Sequence, residues 1–251
     1  MTVATAEWPL VSGLYRSPLL SSLGLVAGFT SASSGSMGGS VFPLADQARA
    51  REGVARSLGF EGVARVKQVH GDRVLRADAP FAEPWPEADA VWTDRRGVLL
   101  AVAAADCVPI LVASPDGPIG AAHAGWEGTS RRIAQALIRT LAAHGADAGS
   151  LRASIGPSIG PCCYAIDEER ARTIRGRLGG DAADALRADQ GGRAVFDLWG
   201  ANATQLEAAG VRHVELAGLC TRCGGADLWS YRARHERGPQ GTGMAVLGWP
   251  R

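Results

Sequence analysis

Residues 98–113 are almost continuously apolar, and the one interruption is an acid followed by a cysteine, Asp106-Cys107. The flanking runs, 98–105 and 108–113, have strand length and lack the alternation of a half-exposed strand, so both faces of what they form are buried. Two buried strands, or one strand with an irregular centre, satisfy the pattern. Either way a carboxylate and a thiol sit among buried residues, where an acid must be paired, hydrogen-bonded or open to a site. With 251 residues, 46% of them hydrophobic, the chain can bury such strands in one globular unit covering 1–251. Residues 1–24 read as an N-terminal extension or edge segment of it.

The rest of the chain supplies partners for this run. Residues 31–40 (SASSGSMGGS) are small and polar, the composition of a flexible loop without packing of its own and a candidate edge for a site. A short helix is expected over 48–58 and a strand over 63–69, ending at His70. Residues 79–89 hold three prolines and several acids and read as a surface connection into a strand at 90–93. A further strand over 119–122 delivers His123 and the turn Ala124-Gly125-Trp126. Ile133, Leu137 and Leu141 then recur every four residues, with Ile138 beside them, which predicts an amphipathic helix over 129–144 stopped by Gly145. Residues 155–164 (IGPSIGPCCY) read as a rigid loop. Helices are expected over 168–188 and 197–209, and strands over 211–216, 228–230 and 244–247, the last two around an arginine- and glycine-rich loop.

Charge excludes several classes of function. The net charge is +1, with Lys67 the only lysine, so no global field draws the chain to nucleic acid or an anionic membrane. No apolar run approaches the roughly 20 residues that span a bilayer. The N-terminal residues lack the basic cluster of a signal peptide and contain Pro9 and Pro18. A cytoplasmic protein, monomer or homodimer, acting on a small molecule is the expectation. Five cysteines, Cys107, Cys162, Cys163, Cys220 and Cys223, are an odd number in a chain that needs no disulfide staples. The last four are expected to be structural or pocket-lining, since one C-x-x-C motif is weak evidence and adjacent cysteines rarely bind one ion together.

His70 and His123 follow β-type runs, and Cys107 interrupts a third. Side chains at the ends of neighbouring strands can converge, and two imidazoles with one thiolate and an open fourth position make a catalytic zinc site. A histidine at a strand end is also often a hydrogen-bonded structural residue, and a buried cysteine a small hydrophobe. Spacing alone leaves both readings open. Asp106 is a candidate catalytic residue, either hydrogen-bonding a ligating histidine or contacting substrate, with a cap on a neighbouring loop as the alternative. Glu127 is a candidate base, although an acid in the first turn of a helix is favoured by the helix dipole alone.

The segments KQVHGDRV (67–74), AADCVPILVASPDGPIGAAHAGWEG (104–128), IGPSIGPCCY (155–164), CTRC (220–223) and LWSYR (228–232) resemble the multicopper polyphenol oxidase, or "laccase domain", family. Its YfiH-like bacterial members are described as purine nucleoside phosphorylases with adenosine deaminase activity. The resemblance runs from about Phe29 to Trp249. It implies an α+β single domain with mixed β-sheets packed between helices. It implies metal ligation by His70, Cys107 and His123, and a purine nucleoside and phosphate as substrates. Zinc is the metal expected, with copper possible. A laccase needs several coppers with imidazole ligands, and a single such copper usually takes an axial methionine, whereas the chain has five histidines and only Met1, Met37 and Met244.

Three basic residues that many relatives carry are replaced here. They would follow Phe29-Thr30-Ser31, follow Trp126, and stand near Thr242-Gly243-Met244; the first two positions hold Ala32 and Glu127. Phosphorolysis must hold an anion, so Lys67, Gln68 and Arg232 become the candidate substrate or phosphate contacts, together with helix amides after Trp126. Two alternatives remain: a copper-dependent polyphenol oxidase, and a metal-binding protein that has lost phosphorolysis and binds a nucleotide or a cell-wall precursor.

Overall fold

The apolar run of residues 98–113 divides into two strands that belong to different sheets, Leu99–Ala104 and Val108–Ala113. In a computed structural model, which describes residues 2–225 and 227–251, these sheets stack face to face. The seven-stranded sheet has the order Thr2–Thr5, His213–Leu216, Arg152–Ile155, Val108–Ala113, Ile119–Ala124, Ala90–Thr93, Val74–Arg76. Its centre is antiparallel and its edge pairs are parallel. The six-stranded sheet runs Leu10–Val11, Leu14–Arg16, Val26–Thr30, Gly243–Gly248, Leu99–Ala104, Val63–Ala64.

Successive side chains of each strand enter different layers, as the pleat requires. Leu111 and Ala113 point between the sheets, where they meet Leu100 and Val102. Ile110 and Val112 point the other way, against the helices Ile133–Ala143 and Leu198–Ala208. Leu99 and Ala101 line an outer cluster closed by residues of the helix Leu44–Ser57. The result is a helix, sheet, sheet, helix stack, an α+β single domain with mixed sheets. Each fully buried Leu, Ile or Val contributes about 1.5–3 kcal/mol, which is why both halves of the run stay apolar. No helix of the described residues is long and apolar enough to cross a membrane.

Several local expectations are corrected. The strand expected over 63–69 ends at Ala64. Beyond it the Gln68 side chain takes over the pairing, its amide donating to the Ala103 carbonyl and its oxygen accepting from the Ala103 amide at 2.7 and 2.8 Å. The backbone is thereby free to turn, and His70 lies in a loop at φ 60°. The helix expected over 129–144 is two, Trp126–Ser130 and Ile133–Ala143, parted at left-handed Arg132, whose guanidinium bonds Asp181 and the Leu178 carbonyl. Residues 168–188 form the helix Glu168–Leu178, broken at Gly179-Gly180, then the short helix Ala182–Ala185 and a strand Leu186–Ala188 that pairs with Ala194–Phe196. Residues 228–230 form no strand; Leu228 and Ser230 are buried around a turn in which Ala233 donates to Ser230, and alternate burial mimics a β pattern. The glycine-rich stretch 31–40 is packed: Ser31, Ser36 and Met37 are buried, and Met37 pairs with Thr242.

Candidate metal centre and its cleft

The step between the two sheets is where Asp106 and Cys107 lie. Asp106 makes the crossing at φ 93°, a conformation costly for any residue but glycine by about 1–3 kcal/mol. Its carboxylate fixes that turn, Oδ1 accepting from the Thr221 hydroxyl at 2.6 Å and Oδ2 from the Arg232 amide at 2.7 Å. Cys107 follows, half-buried, with its sulfur towards the cleft. His123 is buried in the strand Ile119–Ala124, and His70 arrives from its loop to stand edge-on to the His123 ring, centroids 4.9 Å apart. The donor atoms of His70, Cys107 and His123 all lie within 4.8 Å of one another.

The carboxylate that orients this group is Asp89, in the segment 79–89 whose prolines and acids predict a surface connection. It is fully buried, and its Oδ1 lies 2.9 Å from His123 Nδ1. The same side chain accepts backbone N–H bonds from Val69, His70 and Gly71 at 3.1, 2.9 and 2.6 Å. Asp89 therefore holds both the His123 ring and the left-handed loop of His70. Of the readings open for Asp106, its carboxylate takes the one of a cap on neighbouring loops, accepting from Thr221 and the Arg232 amide, while it also lines the cleft. The signal for Asp89 was present: like Asp106, it is an acid touching a fully buried strand, Ala90–Thr93.

Electrostatics match the geometry. Burial raises the Cys107 thiol, but the His123 charge and hydrogen bonds from both imidazoles more than reverse this, bringing it to about 6. Burial lowers His123, yet the Cys107 thiolate and Asp89 hold it up at about 9. A hydrogen bond to Cys107 raises His70. Burial would raise the Asp89 carboxyl, but the His123 bond and the amides of Gly71 and Val69 take it below its usual range. A thiolate facing two imidazoles, with Nδ1 of one fixed by a carboxylate so that Nε2 is the free donor, is a donor set that fits a borderline-soft divalent ion.

His70, Cys107 and His123 line a cleft of about 690 Å³. Its walls carry Trp85, Trp126, Tyr164 and Tyr231 and the cations Arg65, Lys67, Arg170 and Arg232. Lys67 is paired with Glu87 at 2.8 Å on an exposed rim. Arg232 donates to the Ala165 carbonyl at 2.9 Å and lies 4.8 Å from the Tyr164 ring centre. Arg65 was missed because it was read as part of a strand. Its guanidinium stacks 4.1 Å from the Trp85 ring centre, and it and Arg51 both donate to the Met37 carbonyl. Burial and the nearby Arg51 bring Arg65 down to about 10, still a cation at neutral pH. Gln68 lines the cleft, but its amide is engaged with Ala103. Glu127 and Ala32 are not among the lining residues, and Glu127 lies 3.9 Å from Arg131. Cys162, Cys163, Cys220 and Cys223 do not line it either. Met37 and Met244 are core residues, and Met1 lies outside the described residues.

An α+β two-sheet stack with a His2Cys group suited to a metal ion at its sheet crossing is the class that fold and site define, and comparison with known proteins specifies the family. The family described as multi-copper polyphenol oxidoreductase laccase matches residues 44–249, and the chain belongs to it. The purine nucleoside phosphorylase of Deinococcus radiodurans is 40% identical over 210 residues, covering 83% of this chain and 78% of the relative. Purine nucleoside phosphorylase YlmD of Geobacillus stearothermophilus is 38% identical over 194 residues, 72% of this chain and 70% of its own. The crystal structure of YlmD from the same organism superposes with a TM-score of 0.82 at 32% identity, covering 96% of this chain and 97% of that one. YfiH of Bacillus licheniformis gives 0.83 at 26% identity, covering 95% and 97%.

Proposed function

We propose that the protein is a zinc-dependent purine nucleoside phosphorylase acting on adenosine, inosine and methylthioadenosine, with hydrolytic deamination of adenosine as a second activity. The observation that carries this reading is the convergence of His70, Cys107 and His123 in the lining of a cleft that also presents arginines and aromatic rings. The names of the curated relatives support it. Zinc bound there supplies a Lewis acid beside the substrate.

In phosphorolysis a phosphate oxygen bonds to C1′ of the ribose as the bond from C1′ to the purine nitrogen breaks, giving ribose 1-phosphate and the base. Arg65, Arg170 and Arg232 line the cleft and lower the cost of bringing phosphate there. They stand in for the basic residues absent at positions 32 and 127. The rings of Trp126, Tyr164 and Tyr231 offer apolar faces for a purine. Burial pushes the Tyr164 hydroxyl up to about 12, so it stays protonated and can donate a hydrogen bond to the departing base. Asp106 keeps Arg232 in position, and Asp89 keeps His123 in one tautomer.

The polyphenol oxidase reading is disfavoured by the donor set. His144 packs on Trp92 at 4.1 Å, His213 is in an edge-side strand and His235 is on the short helix Arg234–Arg237. Among the described residues the His2Cys group therefore gathers two of the five histidines, too few for several coppers. Pure zinc-loaded protein incubated with adenosine, with and without phosphate, should yield adenine and ribose 1-phosphate only with phosphate, and inosine in both. Absence of all three products by chromatography removes the proposal. Turnover of phenols that rises with copper and consumes oxygen would replace it.

A further inference from the structure

The four cysteines outside the cleft gather at a second point. Cys162 and Cys163 lie in a turn following the strand Arg152–Ile155, and Cys220 and Cys223 in a turn following His213–Leu216. The two loops are joined by backbone pairs, Ser158 to Leu219 and Thr221 to Ser158. The four sulfur atoms all lie within 4.8 Å of one another, and Cys162 Sγ is 3.5 Å from Cys223 Sγ. Four thiolates around one tetrahedral zinc, at Zn–S of about 2.3 Å, stand about 3.8 Å apart. The observed cluster is close to that spacing.

The surrounding backbone is arranged for sulfur ligands. The amide of Gly160 donates to Cys220 Sγ at 3.3 Å, and the amides of Arg222 and Cys223 also point at that sulfur. Peptide N–H groups turned onto a sulfur favour its thiolate form, the form that binds metal. Gly224 closes the turn on the Cys220 carbonyl, where a β-carbon would come within 2.5 Å. Arg237 bonds the carbonyls of Thr221, Arg222 and Gly225, holding the loop in place. Packing does not account for the cluster, because Cys162 and Cys223 are exposed.

We propose that Cys162, Cys163, Cys220 and Cys223 form a second metal site, a four-thiolate zinc site that staples the 158–164 loop to the 219–224 loop. Binding displaces the remaining thiol protons and involves no change of oxidation state. With all four coordination positions filled by sulfur the ion is structural. Its effect reaches the cleft through Thr221, which lies between two of its ligands and holds the Asp106 carboxylate that positions Arg232.

Metal analysis tests this without recourse to activity. Protein purified anaerobically with reductant in the presence of zinc, then freed of excess metal, should carry two zinc ions per chain. Cys223→Ser and His123→Ala should each carry one. Reconstituted with cobalt, His123→Ala should keep an intense sulfur-to-cobalt charge-transfer band from four thiolates, and Cys223→Ser should lose it. One zinc per chain in the wild type, unchanged by Cys223→Ser, overturns the proposal. A Cys162–Cys223 disulfide found by peptide mapping of the same preparation also overturns it. Should Cys223→Ser fail to fold by circular dichroism, Cys162→Ser, also at an exposed position, gives the same readout. Because the measurement is of metal, absence of phosphorolysis would leave the result interpretable.

Discussion

At the scale of single residues, Asp89 and Gly125 set the geometry of the His70, Cys107 and His123 group. Asp89→Asn keeps the shape but loses the charge that holds the His123 tautomer, and zinc affinity should fall about 10- to 100-fold in competition with a chelating indicator. Unchanged affinity would show that Asp89 serves the backbone loop alone. Gly125 has φ −71° and ψ −177°, comfortable for alanine, yet a β-carbon there would stand 2.8 Å from Cys107 Sγ and 3.2 Å from His70 Cδ2. Gly125→Ala should therefore empty the site of stoichiometric zinc, while the stability of the metal-free protein shifts by less than about 1 kcal/mol. Proton competition has a definite sign. The metal-free pair is a thiolate of Cys107 with pKa about 6 and an imidazolium of His123 with pKa about 9. Zinc needs His123 neutral, so between these values affinity at this site should rise with pH as the competing proton is removed, and fall more steeply once Cys107 is protonated. Affinity independent of pH, measured with the four-cysteine cluster disabled, would contradict that assignment.

At the scale of elements, the site depends on two neighbouring apolar strands taking different sheets. The crossing succeeds because Asp106 accepts a left-handed backbone and its carboxylate is fully engaged by Thr221 and Arg232. The strand that carries His123 is held at its depth by the helix Ile133–Ala143, which packs Leu137 directly onto Gly120. A β-carbon at Gly120 would stand 2.6 Å from Leu137 Cδ1. Gly120→Ala should thus lift the helix and destabilise the fold by about 1–3 kcal/mol in urea unfolding. Equal stability would mean that this helix is free to slide. The amphipathic spacing of Ile133, Leu137 and Leu141 made the helix legible. Its break at Arg132 was not, because the contacts that hold a left-handed residue there come from Leu178 and Asp181, more than forty residues away.

For the whole molecule, the distribution of cations matters more than their number. Net charge is +1, yet Arg65, Arg170 and Arg232 line the cleft that also holds His70, Cys107 and His123. Arg65→Ala should raise the KM for phosphate roughly ten- to a hundredfold, the loss of one charge-assisted bond, and leave the KM for the nucleoside little changed. A uniform rise in both would place Arg65 in general packing around Trp85.

Part of the candidate site was legible in the chain: Cys107 and His123 stand at the break or end of apolar runs, which are local features, whereas His70 follows a mixed run, 63–69, that pairs as a strand only over Val63–Ala64. The layering of the core was legible for the same reason, since burial on both faces removes the polar alternation from a strand. Tertiary structure decided the remainder. Asp89 holds the histidine, Arg65 and Arg170 join the expected Lys67 and Arg232 in the cleft, and four sulfurs about sixty residues apart in two pairs share one point. Each of these depends on the distance between segments remote in sequence, which is fixed by how two sheets stack and twist on one another, and no periodicity within either segment carries that distance.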